Sequence, residues 1–244
     1  MGGLVANGQR LKASFSPMPK LTLIRHGESV WNGERRIQGN QDPALSRRGR
    51  RQTDLLVRHL PERITRPVAA IYSSPLQRAA ETAERIAGVW RLPVIREPDL
   101  REMSLGAWEG KTVAEIQAAF PGGYDRWLED PAASPAPGGE ALSAFGRRVT
   151  EALARMQRAH PGADLLIVSH GGVIKALICF TLGLDNRYLF RLKQDNTAVS
   201  QIELDGSVRR VLLMNDTCHL NDGGGDLAAR DVLTDAAGGA DPAV

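Results

Sequence analysis

Three apolar runs, at residues 21–24 (with Thr22 as the one hydroxyl), 68–72 and 165–168, constrain this chain more than any other feature of its sequence. Strands without polar alternation are covered on both faces, as in a mostly parallel sheet lying between helices. Each run stops in polar residues: Arg25, His26 and Gly27 after the first, Ser73, Ser74 and then Arg78 after the second, and Ser169, His170 and Gly171 after the third. Ligands of open α/β sheets bind beyond the carboxyl ends of the strands. The three terminations are therefore expected along one sheet edge, and the fold class is α/β.

Taken alone, an Arg-His-Gly at a strand end reads equally as a turn with two solvated polar side chains. Two histidines and two arginines at the ends of buried strands favour an anion site instead. The Arg25 guanidinium suits a phosphate or carboxylate, and its charge disfavours protonation of His26, leaving a nucleophilic imidazole. Pro75 is expected at the first position of the helix after the second strand, which puts Arg78 in the first turn, pointing back over the strand end. Gly27 allows backbone to approach a bound anion, and Asn32 supplies an amide donor from the loop or helical turn that follows. Asn196 precedes the last hairpin and is expected at the same edge.

With 244 residues, 42% hydrophobic and 24% charged, the chain is long enough to bury a proper core. Its net charge of +3 suits an acidic small substrate as well as weak nucleic-acid binding. Aromatic residues make up only 5%, with no basic stripe interleaved with aromatics, so no nucleic-acid partner is expected. The apolar stretch at 171–184 contains Lys175 and is too short to cross a bilayer, so no membrane partner is expected either. Cys179 and Cys218 are far apart and lack metal-ligand spacing, which argues against a disulfide framework or a metal site. No cofactor is expected, and a reducing cytoplasm is the default location. Residues 1–19 have no apolar signal-like core and read as a flexible leader, 20–220 as one domain, and the Gly/Ala/Asp-rich 221–244 as a disordered tail.

Ser46 is placed as the N-cap of a helix reaching about Leu60, and Arg47, Arg48, Arg50 and Arg51 read as its solvated first turn. A short strand is expected at 94–95, short helices at 112–120 and 124–129, and a mobile loop at 131–139. An amphipathic helix follows at 140–159. Residues 197–204 and 208–214 form a hairpin through Asp205 and Gly206. Its edge strand is available to pair across a homodimer, although the oligomeric state stays open. Between the short strand at 94–95 and the first short helix, Glu102 and Glu109 are the acids of interest, although loop carboxylates are usually surface groups.

These residues together resemble the histidine phosphatase superfamily, in the branch of cofactor-dependent phosphoglycerate mutases and related small phosphatases. The resemblance covers about 21–220. It rests on Arg25-His26-Gly27-Glu28-Ser29-x-Trp31-Asn32, Gln38-Gly39, Leu45-Ser46-x-x-Gly49 and Ser73-Ser74-Pro75-Leu76-x-Arg78. It continues through Glu102 ahead of Gly106-x-Trp108-Glu109-Gly110, Gly138-Gly139-Glu140 and Ser169-His170-Gly171-Gly172. It implies a three-layer α/β/α sandwich of phosphoglycerate mutase-like type. By the same resemblance His26 takes up the phosphoryl group, Arg25, Arg78 and His170 hold its oxygens, and Glu102 is the general acid. Asn32, Gln38, Gly39 and Gly171 then belong to the substrate side. No metal is implied.

His170 is followed by Gly171 rather than by an acid, which favours Glu102 as proton donor. Residues 105–139 lack the mutase Glu-Arg-His-Tyr-Gly run and its long insertion, which favours hydrolysis over mutase activity. Leu105 stands where metal-independent phosphoserine phosphatases of this branch carry a histidine, although the Asn-Asp-Thr-Cys-His-Leu ending is similar to theirs. The implied partner is a small phosphorylated metabolite such as phosphoserine, a phosphosugar, a phosphoglycerate or α-ribazole phosphate. The alternatives are a phosphoglycerate mutase and a non-catalytic protein that binds phosphorylated ligands.

Overall fold

The computed structural model of the protein describes residues 18–206 and 208–223. The expected leader and tail lie outside the described residues, apart from Met18, Pro19 and 221–223. Six strands form one sheet: β1 (Lys20–Arg25), β2 (Val68–Ser73), β3 (Val94–Arg96), β4 (Asp164–Ser169), β5 (Val199–Asp205) and β6 (Val208–Asp216), in the order β3-β2-β4-β1-β5-β6. The first four run parallel, and β5 pairs antiparallel with both β1 and β6. The sheet is mostly parallel, as expected, with four parallel strands followed by an antiparallel hairpin.

Burial follows position in the sheet. All six residues of β4 are buried, because it has a strand on each side and helices on each face. Leu21, Leu23, Leu165 and Ile167 pack with Phe145, Val149 and Leu153 of α6 (Leu142–Ala159) and Val173 and Leu177 of α7 (Gly171–Leu182). Ile24, Leu166 and Val168 face the other way, onto Leu56 and Leu60 of α2 (Arg47–Arg63) and Ala79, Ala83 and Ile86 of α3 (Gln77–Trp90). The two faces define the three-layer α/β/α sandwich.

Helix starts obey local chemistry. Ser46 caps α2 by accepting from Gly49 N at 2.9 Å. Two of the arginines beyond it are more than solvated charge: Arg48 pairs with Glu28 at 3.0 Å and Arg50 with Glu81 at 2.7 Å. Pro75 is not the first residue of α3, as expected from its sequence, because the helix begins at Gln77 with Leu76 as N-cap. Asp42 accepts from Gln77 N at 2.7 Å, and that bond sets the start. Arg78 still falls in the first turn.

The loop expected to be mobile at 131–139 is instead tied to the segment before the short helix α4 (Val113–Ala119). Ala107 N donates to Pro137 O at 2.9 Å, Glu140 N to Ser104 O at 2.8 Å, and Ala136 is buried. Its proline-rich composition hid this, since the anchoring partners are backbone groups distant in sequence. The hairpin also starts later than expected: Thr197 lies in a turn before β5, not in the strand. No helix among the described residues is long and apolar enough to cross a membrane.

Leu166→Ala should test the central layer, because the side chain is fully buried between β4 and α2/α3. A loss of about 2–5 kcal/mol in unfolding free energy is expected by denaturant titration.

Candidate active site

Parallel register brings the strand ends together. Arg25 pairs with Ser169 and Ser73 with Val168, so His26, Ser74 and His170 emerge side by side. His26 N donates to Ser169 O at 2.9 Å and Ser74 N to Val168 O at 3.1 Å, extending the sheet ladder one step past each strand. The His26 and His170 rings meet edge to face with centroids 5.1 Å apart.

Both rings are buried. His26 Nδ1 lies 2.7 Å from the Gly27 carbonyl, which can only accept, so Nδ1 carries the proton and the lone pair is on Nε2. Burial above all, then the charges of Arg78 and Arg25, holds His26 well below the usual imidazole range. His170 is lowered in the same way by burial, Arg78, His26 and Arg25. The expected effect of Arg25 is thus present but ranks below desolvation and Arg78. His170 Nε2 bonds Ser74 Oγ at 2.8 Å, while its Nδ1 is buried without a partner among the described residues.

Arg78 is fully buried and donates to the carbonyls of Gln41 and Gly39 at 2.6 and 2.9 Å. Asp42 Oδ1 lies 4.0 Å from its Nη1. Burial lowers Arg78 to about 10, which leaves it charged at neutral pH. The Arg25 guanidinium donates to the Gln194 carbonyl.

Arg25, His26 and Arg78 share one cleft with Asn32, Gln38, Gly39, Glu102 and Gly171, and His170 lies directly behind it against the His26 ring. Glu102 accepts from Met103 N at 2.9 Å and Gly172 N at 3.0 Å, at the start of α7. A Cβ on Gly172 would sit 2.3 Å from Glu102 Oε1, so only glycine admits the carboxylate there. Asn32 Oδ1 accepts from Ser29 N and Asn196 Nδ2, leaving its Nδ2 as the group to offer the cleft. Gln38 Oε1 accepts from Ser29 Oγ at 2.7 Å, and Gly39 serves through its carbonyl on Arg78.

Glu109 does not join Glu102. It accepts from Asn40 N at 3.0 Å, Leu105 N at 2.9 Å and Gln41 Nε2 at 3.1 Å, tying the loop whose carbonyls receive Arg78 to the one that follows Glu102. Sequence reasoning missed Ser74 as the partner of His170 and Gln194 as the acceptor for Arg25. It also missed Arg148, which donates to the Glu102 carbonyl at 2.9 Å while paired with Glu140 at 2.7 Å. Lys175 was visible only as an interruption of an apolar stretch, yet it is buried and lines the cleft. The signal was the lone charge four residues beyond Gly171, on the same helix face.

No group of three or more His, Cys, Asp or Glu placed to hold a metal occurs among the described residues. What the edge offers is fixed positive charge, a neutral imidazole and one carboxylate, a set suited to phosphoryl transfer. The family model for the histidine phosphatase superfamily (branch 1) matches residues 21–217, and the chain belongs to that superfamily. Phosphoserine phosphatase 1 of Hydrogenobacter thermophilus is 37% identical over 205 residues, covering 84% of this chain and 96% of that protein. Among solved structures, YhfR of Bacillus stearothermophilus matches with a TM-score of 0.76 at 36% identity, over 82% of this chain and 98% of its own. The mycobacterial glucosyl-3-phosphoglycerate phosphatase Rv2419c matches with a TM-score of 0.74 at 31% identity, over 81% of this chain and 98% of its own. The protein is a phosphatase of this superfamily.

Depressed imidazoles make a pH prediction. The unfolded chain protonates both rings near pH 6.5, whereas the folded chain keeps them neutral to lower pH, so folding stability should fall as pH drops below 6.5. In NMR spectra of histidine-labelled protein without phosphate, His26 and His170 should remain neutral at pH 6. Protonated rings there would contradict the electrostatics described.

Proposed function

We propose that the chain hydrolyses small phosphomonoesters through a phosphohistidine on His26, without a metal ion. The observation that carries this reading is the buried imidazole whose Nδ1 is committed as a donor, leaving Nε2 to attack beside the charges of Arg78 and Arg25. Nε2 attacks phosphorus as the P–O bond to the alcohol breaks. Protonated Glu102 gives its proton to the leaving oxygen. As carboxylate it then takes a proton from water, whose oxygen displaces Nε2 and releases phosphate.

Arg25, Arg78, His170 and Asn32 hold the phosphoryl oxygens in this scheme. Gln38, Gly39 and Gly171 shape the substrate side, Gly39 acting through Arg78. The names of the relatives support hydrolysis of a small phosphorylated metabolite: a phosphoserine phosphatase, structures of α-ribazole phosphatases and a glucosyl-3-phosphoglycerate phosphatase. Leu105 lines the cleft, so its wall is apolar where a histidine was expected for a phosphoserine enzyme.

Phosphate release from a panel of phosphomonoesters, with a chelator present, tests the reading. Release should survive the chelator and vanish in His26→Ala. Interconversion of phosphoglycerates without release would make the protein a mutase, and loss of activity with the chelator would overturn the metal-free step. Glu102→Gln should slow alkyl phosphates by roughly 100-fold or more and activated aryl phosphates much less. Equal loss on both would remove Glu102 as the acid.

A further inference from the structure

The turn that leads into β5 contains a backbone conformation its residue disfavours. Thr197 has φ +57°, a left-handed value costly for a β-branched side chain. Ala198 N donates to Asp195 O at 3.1 Å, closing a four-residue turn in which Thr197 takes the position that glycine or asparagine normally fills. This turn grips the nucleophile's backbone. Thr197 N is shared between the carbonyls of Arg25 at 3.1 Å and His26 at 3.2 Å, and Asn196 Nδ2 donates to the His26 carbonyl at 3.1 Å. Gln194, next to the turn, holds the Arg25 guanidinium.

The C-terminal segment holds the turn at both ends. Asn215 Oδ1 accepts from Asp195 N at 2.7 Å, and its Nδ2 donates to Asp195 Oδ2 at 2.9 Å. Buried His219 reaches Thr197 Oγ1 with Nε2 at 2.9 Å. The single hydroxyl proton of Thr197 goes to the Asn196 carbonyl at 2.7 Å, which can only accept. His219 Nε2 therefore carries a proton and donates it to Thr197 Oγ1.

We propose that His219 is a positioning residue for the reaction: by anchoring the Thr197 hydroxyl it keeps Thr197 left-handed, and the turn then holds His26 in line for attack. The assignment rests on the reading of His26 as nucleophile. His219 does not touch the substrate; it acts through Thr197. Small displacements of a nucleophile are costly because attack needs near-contact alignment. The terminal Asn-Asp-Thr-Cys-His-Leu stretch thereby acquires a catalytic consequence although His219 does not line the cleft.

Single-turnover release of nitrophenol from 4-nitrophenyl phosphate, at saturating enzyme, reads the phosphorylation rate constant apart from the fraction of active protein. His219→Ala should slow that constant by roughly 10-fold while KM changes by less than about twofold. Adding Thr197→Gly to His219→Ala should restore most of the rate, because glycine takes φ +57° without an anchor. An unchanged rate constant in His219→Ala, or a double variant as slow as the single one, overturns the proposal. Should His219→Ala fail to fold, His219→Gln keeps an amide donor and should stay near the native rate, whereas Thr197→Val should be slow. The opposite order overturns the assignment. If the native chain releases phosphate but forms no acid-labile phosphoenzyme, the reading of His26 itself has failed. That failure shows in the native protein before any variant is compared.

Discussion

Burying Arg78 at the carboxyl edge of a parallel sheet is the constraint on which the rest of the site depends. A guanidinium stripped of water is costly unless its donors are met. Here main-chain carbonyls of Gly39 and Gln41, rather than a carboxylate, take one bond from each terminal nitrogen, and Nε has no partner among the described residues. Carbonyls satisfy the hydrogen bonds without cancelling the charge. The field that remains attracts an anion and, together with burial, keeps His26 and His170 neutral.

Much of the surrounding structure serves that arrangement. Glu109 binds the backbone and side chain of the loop whose carbonyls receive Arg78, and the left-handed Gly39 leaves room for it, since a Cβ would meet Glu109 Oε1 at 2.1 Å. Arg148 braces the backbone of Glu102, and Gly172 makes space for its carboxylate. On the other side of the cleft, the aromatic group of Trp108, Tyr124 and Trp127 stacks toward Phe190, with Trp127 and Phe190 centroids 4.2 Å apart. Phe190 reaches the cleft wall. Ala136, from the segment expected to move, is buried in the same hydrophobic core as these aromatics.

The parts of the site legible in the sequence are those whose signal is local. A buried strand that ends in His-Gly announces its own position, and Ser46 and Arg78 are placed by helix chemistry within a few residues. The parts that were not legible depend on distant pairing. Ser74 becomes the partner of His170 only because β2 and β4 are adjacent and in register. Arg148 looks like one more charge on an amphipathic helix until its face meets Glu102 and Glu140. Thr197 reads as a strand residue because β-branched side chains favour strands, and tertiary hydrogen bonds override that preference.

The sequence by itself determined the α/β class, the strand ends that meet at one edge, and a histidine, two arginines and a carboxylate as the candidate groups there. These follow from apolar periodicity and side-chain chemistry, both properties of short stretches. Only the tertiary structure decided which nitrogen of His26 is free, which carbonyls keep Arg78 charged, and which of two acids faces the cleft. Each of those depends on where backbone groups far apart in the chain meet, because hydrogen-bond direction and desolvation exist only after the layers have packed.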